Sequence, residues 1–214
     1  MRSLSTFASL LLLASPLAAQ AADHDAAVAG GGVLPTGWAA RPDAKGEMKN
    51  VKFVAMGDGY HATLGPATIV YRAADNAVGA FHTLATFTQT KAPAHAEGYG
   101  IFMGGTKLGG PAQAYTYFLV RGDGSFIVKQ RTGDKTTALK DWSAHPAVNK
   151  ADSAGKAVNK LEIDNKSDPS KVGFLVNGQE VFSTPASAIQ TKGIVGLRIN
   201  HNLDVHIAGF ALHQ

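Results

Sequence analysis

Three constellations in this 214-residue chain carry side chains that could do chemistry. The first is "EIDNKS", with Glu162 and Asp164 two positions apart. On a strand such residues share a face, which is how a nucleophile and an acid can be held at the fixed separation glycoside hydrolysis needs. The second is "NHNLDVH", where Asp204 and His206 would share a face and His201 lies just before them. A carboxylate and two imidazoles are a donor set for zinc. The same pattern describes a solvated strand face, and with no cysteine and no His-x-His pair no metal is expected. The third is a group of amphipathic aromatics, Tyr99, Tyr115, Tyr117 and Trp142, with Arg121, Arg131, His145, Asn200, His201 and Asn202 as polar complements. Sugars are held by aromatic faces against their apolar edges and by planar polar groups that reach their hydroxyls.

Other chemistries are absent. There is no Gly-x-Ser-x-Gly and no cysteine to act as nucleophile. "GYGIFMGG" is glycine-rich but lacks the lysine and Ser/Thr of a phosphate loop, so its glycines read as sites of close sheet packing or bulges. Asp58, Glu97, Asp123, Asp141 and Asp204 fall in or near turns, and Asp58 and Asp123, beside glycine, read as turn formers that bond their own backbone.

The elements that must position these residues are strands. Short runs rich in Val, Ile, Phe, Tyr and Thr are separated by Gly, Asp, Asn and Pro, and no segment sustains a helical stripe. Among them are "VKFVAMG", "AFHTLATFTQT", "GYGIFMGG", "NKLEIDNK" and "GIVGLRIN". The pattern predicts one all-β domain. In "YTYFLVRGDGSFIVKQR" the tripeptide Arg121-Gly122-Asp123 could serve as an adhesion ligand, but Asp-Gly between alternating apolar runs is a strong hairpin signal. A three-residue loop, Gly122 to Gly124, would put Phe118, Val120, Phe126 and Val128 on one face. Tyr115, Tyr117, Leu119, Ile127, Lys129 and Arg131 would then fall on the other. Asn177-Gly178 in "VGFLVNGQEVF" predicts a second tight hairpin. Trp142, in "KDWSAHP", reads as a loop residue, and His145 beside it completes a rim candidate.

Residues 1–21 have one positive charge at Arg2, an apolar run and small residues at Ala19 and Ala21, the layout of a secretory signal cleaved after Ala21. The run is shorter than the roughly 20 residues a membrane span needs. The expectation is an exported protein, periplasmic or secreted, with no integral membrane span. Residues 22–36 read as a flexible lead-in and 37–214 as the domain. Loss of Arg2 takes the formal charge from +4 to +3, and the basic residues are scattered, which argues against a nucleic-acid partner. With no disulfide available, stability must come from a core.

The order of "AEGYGIFMGG", "YTYFLVRGDGSFIVKQRTG", "DWSAHPAVN", "NKLEI", "VGFLVNGQEVF" and "GIVGLRI…DVHIAGFAL" resembles the concanavalin A-like lectin/glucanase jelly roll. It is close to laminin-G-like domains and to exported bacterial domains of the keto-disaccharide hydrolase type. The resemblance spans about residues 37 to 212. It implies two antiparallel sheets packed face to face, with glycan sites on the concave face and rim. Glycosidases of that class carry Glu, an aliphatic residue, Asp, two further residues and Glu; here Ser167 stands where the second Glu belongs, so Glu162 and Asp164 read as outward residues of an ordinary strand. Calcium, common in laminin-G-like relatives, is the one cofactor left open, since "DNKSDPS" offers oxygens without the spacing of a recognised loop. Three readings follow: a non-catalytic module that binds a glycan or cell-envelope polysaccharide, a hydrolase of the keto-disaccharide type, and a structural or protein-interaction module. The site residues of the first are Trp142, His145, Tyr99, Tyr115, Tyr117, Arg131, Asn200 and His201. For the tyrosines the alternative is that they fill the second side of a sheet.

Overall fold

Apolar residues at every second position make strands whose two faces differ, and β5 below is the plainest case, with Thr83, Ala85, Phe87 and Gln89 buried in alternation. A computed structural model describes residues 24–43 and 45–214; the expected signal segment lies outside them. The strands in order are β1 (Trp38–Pro42), β2 (Val51–Met56), β3 (Gly59–Leu64), β4 (Thr68–Ala77), β5 (His82–Gln89), β6 (Gly98–Thr106) and β7 (Ala114–Arg121). They continue as β8 (Ser125–Thr132), β9 (Lys135–Ala144), β10 (Ala157–Asp164), β11 (Lys171–Val176), β12 (Gln179–Pro185), β13 (Gly193–Ile199) and β14 (Asp204–His213).

They form two seven-stranded antiparallel sheets. Sheet A runs β1-β4-β13-β6-β7-β8-β9 and sheet B runs β12-β11-β10-β5-β14-β3-β2. The core lies between them, where Tyr99, Phe118 and Phe126 of sheet A meet Phe53, Phe87 and Phe174 of sheet B. This is the expected all-β jelly-roll sandwich.

The central hairpin has the expected register. Val120 faces Phe126 and Phe118 faces Val128, with Gly122-Asp123-Gly124 as the loop. Asp123 accepts from the backbone N–H and hydroxyl of Ser125, and Arg121 Nε donates to it at 2.7 Å. The arginine and aspartate of the tripeptide are therefore tied to each other as parts of a turn. In the second hairpin Asn177 and Gly178 both have positive φ, 51° and 81°, as the primed turn requires.

Two strands were not legible as such. β1 ends on Pro42, and β9 is mostly exposed along its length. Both are edges of sheet A, where one side of the ladder is open and the apolar alternation of a central strand is not required. Trp142 consequently lies on β9 rather than in a loop. The stretch from His24 to Gly32, read from composition as part of a tether, lies against the domain. Its Ala26 N–H donates to Asn202, its Val28 N–H to Asn50, and its Gly32 N–H to the Val51 carbonyl. Its small residues are what let it approach: a Cβ on Gly31 would sit 2.3 Å from the Lys49 carbonyl oxygen.

Two glycines of similar backbone separate two costs. Gly178 (φ +81°) has open space around a Cβ, whereas at Gly155 (φ +78°) a Cβ would lie 1.9 Å from the Ala92 nitrogen. Gly178→Ala is expected to lose about 1 kcal/mol from backbone strain alone. Gly155→Ala should lose about 3 kcal/mol, because the 92–97 loop must also move. Urea unfolding of both variants checks this; equal losses would show that the close approach to Ala92 costs nothing.

Candidate functional site

The outer face of sheet A, turned away from the core, is also closely packed. Period-two alternation that points Phe118 and Val120 inward points Tyr115, Tyr117 and Leu119 outward, and β8 adds Ile127. Ile69 of β4, Phe102 of β6 and Leu108 of the following loop join them in a second apolar cluster, with Tyr71, Trp142 and Ile194 partly buried around it.

Into this cluster β13 places a charge. Arg198 alternates with the core residues Leu197 and Ile199 and is 5% exposed. Its Nη1 and Nη2 donate to the two oxygens of Asp43, at 3.0 and 2.7 Å, and Nη1 also reaches the Tyr115 hydroxyl at 3.2 Å. Arg131 of β8 donates to the same carboxylate at 3.1 Å. Burial alone would raise the Asp43 pKa, but hydrogen bonds and charge from Arg198 and Arg131 outweigh it and hold the group below the ordinary carboxylate value. Burial likewise works against the charge on Arg198, yet Tyr115, Asp43 and Tyr117 keep it above the usual arginine value. Tyr117 is pushed up, first by burial, with Arg198 opposing.

The network continues toward one end of the sheet. Arg198 Nε donates to Asn200 Oδ1 at 3.3 Å, and Asn200 Nδ2 donates to Glu97 at 3.0 Å. His201 Nε2 lies 2.7 Å from the other oxygen of Glu97. Beside this end the guanidinium of Arg121 stacks on Trp142, 4.2 Å from the ring centroid. Gly98 makes room for that ring, since a Cβ there would meet Trp142 Cη2 at 3.0 Å. The face thus combines a half-buried indole, the half-buried Tyr71, and a chain of guanidinium, carboxylate and amide groups.

Of the residues expected to bind, Tyr115, Tyr117, Arg131, Trp142, Asn200 and His201 are brought to this face or its margin. Tyr99 is not: it is fully buried in the core, its hydroxyl 3.4 Å from Asn159 Nδ2, because strand parity puts it with Ile101 and Met103. Tyr115 and Tyr117 are 3% and 8% exposed, so their rings form the floor of the face rather than open platforms. His145 turns the other way, its Nδ1 accepting from the Ala147 N–H and its ring edge on Phe126 of the core.

Sheet B separates the remaining candidates. Leu161 and Ile163 point inward, leaving Glu162 and Asp164 on the outer face as expected. Asp164 accepts from the Lys166 and Ser167 N–H groups and the Ser167 hydroxyl, which makes it a turn cap. Glu162 lies between His82 (3.0 Å) and Lys160 (3.2 Å). Asp204 takes Thr63, Thr90 and, at 3.0 Å, His61 as partners, while His201 is turned away to Glu97. Among the described residues no group of three His, Cys, Asp or Glu side chains is placed to hold a metal ion.

Sequence reasoning missed Asp43 and Arg198. The signal for Arg198 was present, an arginine inside the apolar run "GIVGLRIN", where a lone charge is rarely buried without a partner. Asp43 had no signal, because its partners are 88 and 155 residues away.

Sheet topology and comparisons together define the fold: a two-sheet antiparallel jelly-roll sandwich. No protein-family model matches the chain, and no curated protein matches its sequence. Among solved structures it is similar to carbohydrate binding module CBM66 from Bacillus subtilis, with a TM-score of 0.60 at 10% identity, covering 85% of this chain and 99% of that one. It is also similar to a protein of unknown function with a galectin-like fold from Bacillus subtilis, with TM-score 0.59, 12% identity, and 83% and 89% of the two chains covered. A third is the Bacillus licheniformis beta-glucanase, with TM-score 0.53, 12% identity, and 83% and 91% covered. At these identities the likeness is one of fold. No helix among the described residues is long and apolar enough to cross a membrane.

Asp43→Asn should cost about 2 kcal/mol at neutral pH, less than a fully buried pair because Asp43 is 25% exposed. Since its folded pKa is depressed, the stabilisation is present above the ordinary value of 3.8 and lost as pH falls through the folded value. Thermal melts from pH 7 down to pH 3 should therefore show wild type and variant converging at the acid end. A constant gap would mean that the carboxylate's charge is not what stabilises the face.

Proposed function

We propose that the chain is an exported, non-catalytic carbohydrate-binding module that holds a glycan, such as a cell-envelope polysaccharide, across the outer face of sheet A. One observation carries this reading: half-buried Trp142 and Tyr71 share a single sheet face with the Asp43–Arg198–Asn200–Glu97 chain of hydrogen-bonding groups. Stacking surface and directional polar groups together are what sugar recognition needs. The similar solved structures support it, since one is a carbohydrate binding module and another a beta-glucanase. The sequence layout of residues 1–21 supports export.

The test is proton NMR of the protein without residues 1–21, mixed with a panel of neutral and acidic oligosaccharides, with and without calcium. Broadened ligand signals without new products are expected, and new anomeric signals would show a hydrolase instead. Trp142→Ala is expected to weaken the binding ligand about five- to thirtyfold, the loss of about 1–2 kcal/mol of stacking, and to lower the melting temperature while leaving the protein folded by circular dichroism, since the indole also packs on the outer cluster and against Arg121. Unchanged affinity by titration calorimetry would remove Trp142 from the site.

A further inference from the structure

Loops at one end of the sandwich enclose a cleft of about 300 Å³. Its walls are the hairpin loop at Gly122 and Asp123, the 92–96 segment, and the turn from Ala151 to Gly155. Gln89, the last residue of β5 and 1% exposed, is its floor. The Gln89 amide is wedged between two of the walls. Its Nε2 donates to the Gly155 carbonyl at 2.6 Å, and a Cβ on Gly122 would lie 3.4 Å from its Oε1. That donation fixes which end of the amide is oxygen, and Oε1 is left buried with no hydrogen-bond partner among the described residues. A buried acceptor without a donor is costly, so the floor calls for a donor from a bound molecule.

The charges around the cleft point the same way. Asp123, Asp152 and His95 are its ionisable lining groups; Lys91, Lys150 and Lys156 adjoin lining residues in sequence but do not line it. Arg121 offsets Asp123, its Nε 2.7 Å from Oδ2. Asp152 accepts from the Ala154 and Lys156 N–H groups at 2.9 and 2.8 Å and pairs with no cation among the described residues. Gly155, which Gln89 grips, closes the turn that Asp152 caps, its N–H donating to the Asp152 carbonyl at 2.9 Å. The cleft therefore holds one uncompensated carboxylate and one orphaned carbonyl oxygen. An ammonium group, with three donors and a positive charge, satisfies both. Ala92, Pro93, Ala94 and Ala151 make the remaining wall small and apolar, suited to a carbon ring. At the lower end of the roughly 300–1,000 Å³ of small-molecule sites, the space takes one sugar unit rather than a run of them.

This cleft adjoins the proposed glycan face, because Arg121, which pairs with Asp123 at its wall, also stacks on Trp142. We infer that the cleft is a subsite for the unacetylated amino group of an amino sugar, with Asp152 as its ion-pairing group and Gln89 Oε1 as its acceptor. The inference rests on the reading of the chain as a glycan-binding module. It narrows the ligand class to polysaccharides that carry free amines.

Titration calorimetry with matched pairs tests it: cellotriose against the β-1,4-linked glucosamine trimer, and galactotriose against its 2-amino counterpart, at low salt and again at 0.5 M salt. At least one amino trimer is expected to bind about tenfold tighter than its hydroxyl partner, with the advantage shrinking in high salt. Asp152→Asn, which keeps an oxygen to cap the turn, should abolish the advantage. Ser153→Lys, at an exposed position of the same wall, should abolish it too by placing a cation in the cleft. Gln89→Met, confirmed as folded by circular dichroism, should reduce it. Hydroxyl trimers binding as tightly as amino trimers would overturn the subsite and leave the glycan reading standing. An amino preference untouched by all three variants would overturn the assignment to this cleft. N-acetyl-lysine methylamide binding as tightly as the amino trimer would show that an ammonium is read without a sugar and overturn the amino-sugar assignment. Binding of no oligosaccharide at all would overturn both readings.

Discussion

The carboxylate of Asp43 is the constraint on which the outer face of sheet A depends. It stands just beyond β1, at the edge of the sheet, and is gripped by guanidinium groups from β13 and β8. Between those two strands lie β6 and β7, so one carboxylate braces the sheet across four neighbouring strands. Arg198 could not occupy the middle of an apolar face without it, because an unpaired buried cation costs far more than the pair. The two arginines in turn keep Asp43 ionised in surroundings that would otherwise favour its neutral form.

This bracing gives sheet A two unlike packed faces. The inner one is an ordinary sandwich core, and its stability comes from apolar area removed from water. The outer one is a thinner apolar layer of Phe102, Tyr115, Tyr117 and Leu119 beneath a polar network. Central strands β6 and β7 are therefore buried on both sides, which is why they read as nearly continuous apolar runs. A layer of that kind makes a rigid floor. Side chains above it, Trp142 with its stacked Arg121 above all, are held by packing as well as by hydrogen bonds.

Much of this was legible from local pattern. The Gly122–Gly124 loop and its register followed from which pairing segregates the apolar residues, and Asn177-Gly178 from the positive φ its turn demands. The inward set of β10, Leu161 and Ile163, followed from the same parity. β1 and β9 escaped because an edge strand is exempt from the burial that imprints alternation. Tyr99 was misplaced for a related reason. Its type suits either a core or a binding surface, and only the parity of β6, set by its partners, put it inward.

By itself, then, the sequence determined that the chain is all-β, where its tight hairpins turn, and which residues of each central strand share a face, since these depend on neighbours a few positions apart. Tertiary structure alone decided that Asp43, Arg131 and Arg198 meet, that Glu97 joins Asn200 to His201, and that Trp142 lies on a strand under Arg121. Contacts between strands that are adjacent in space and up to 155 residues apart in the chain leave no periodic mark on either segment. Such a meeting is fixed by the order of strands in the sheet, and that order is a property of the whole fold.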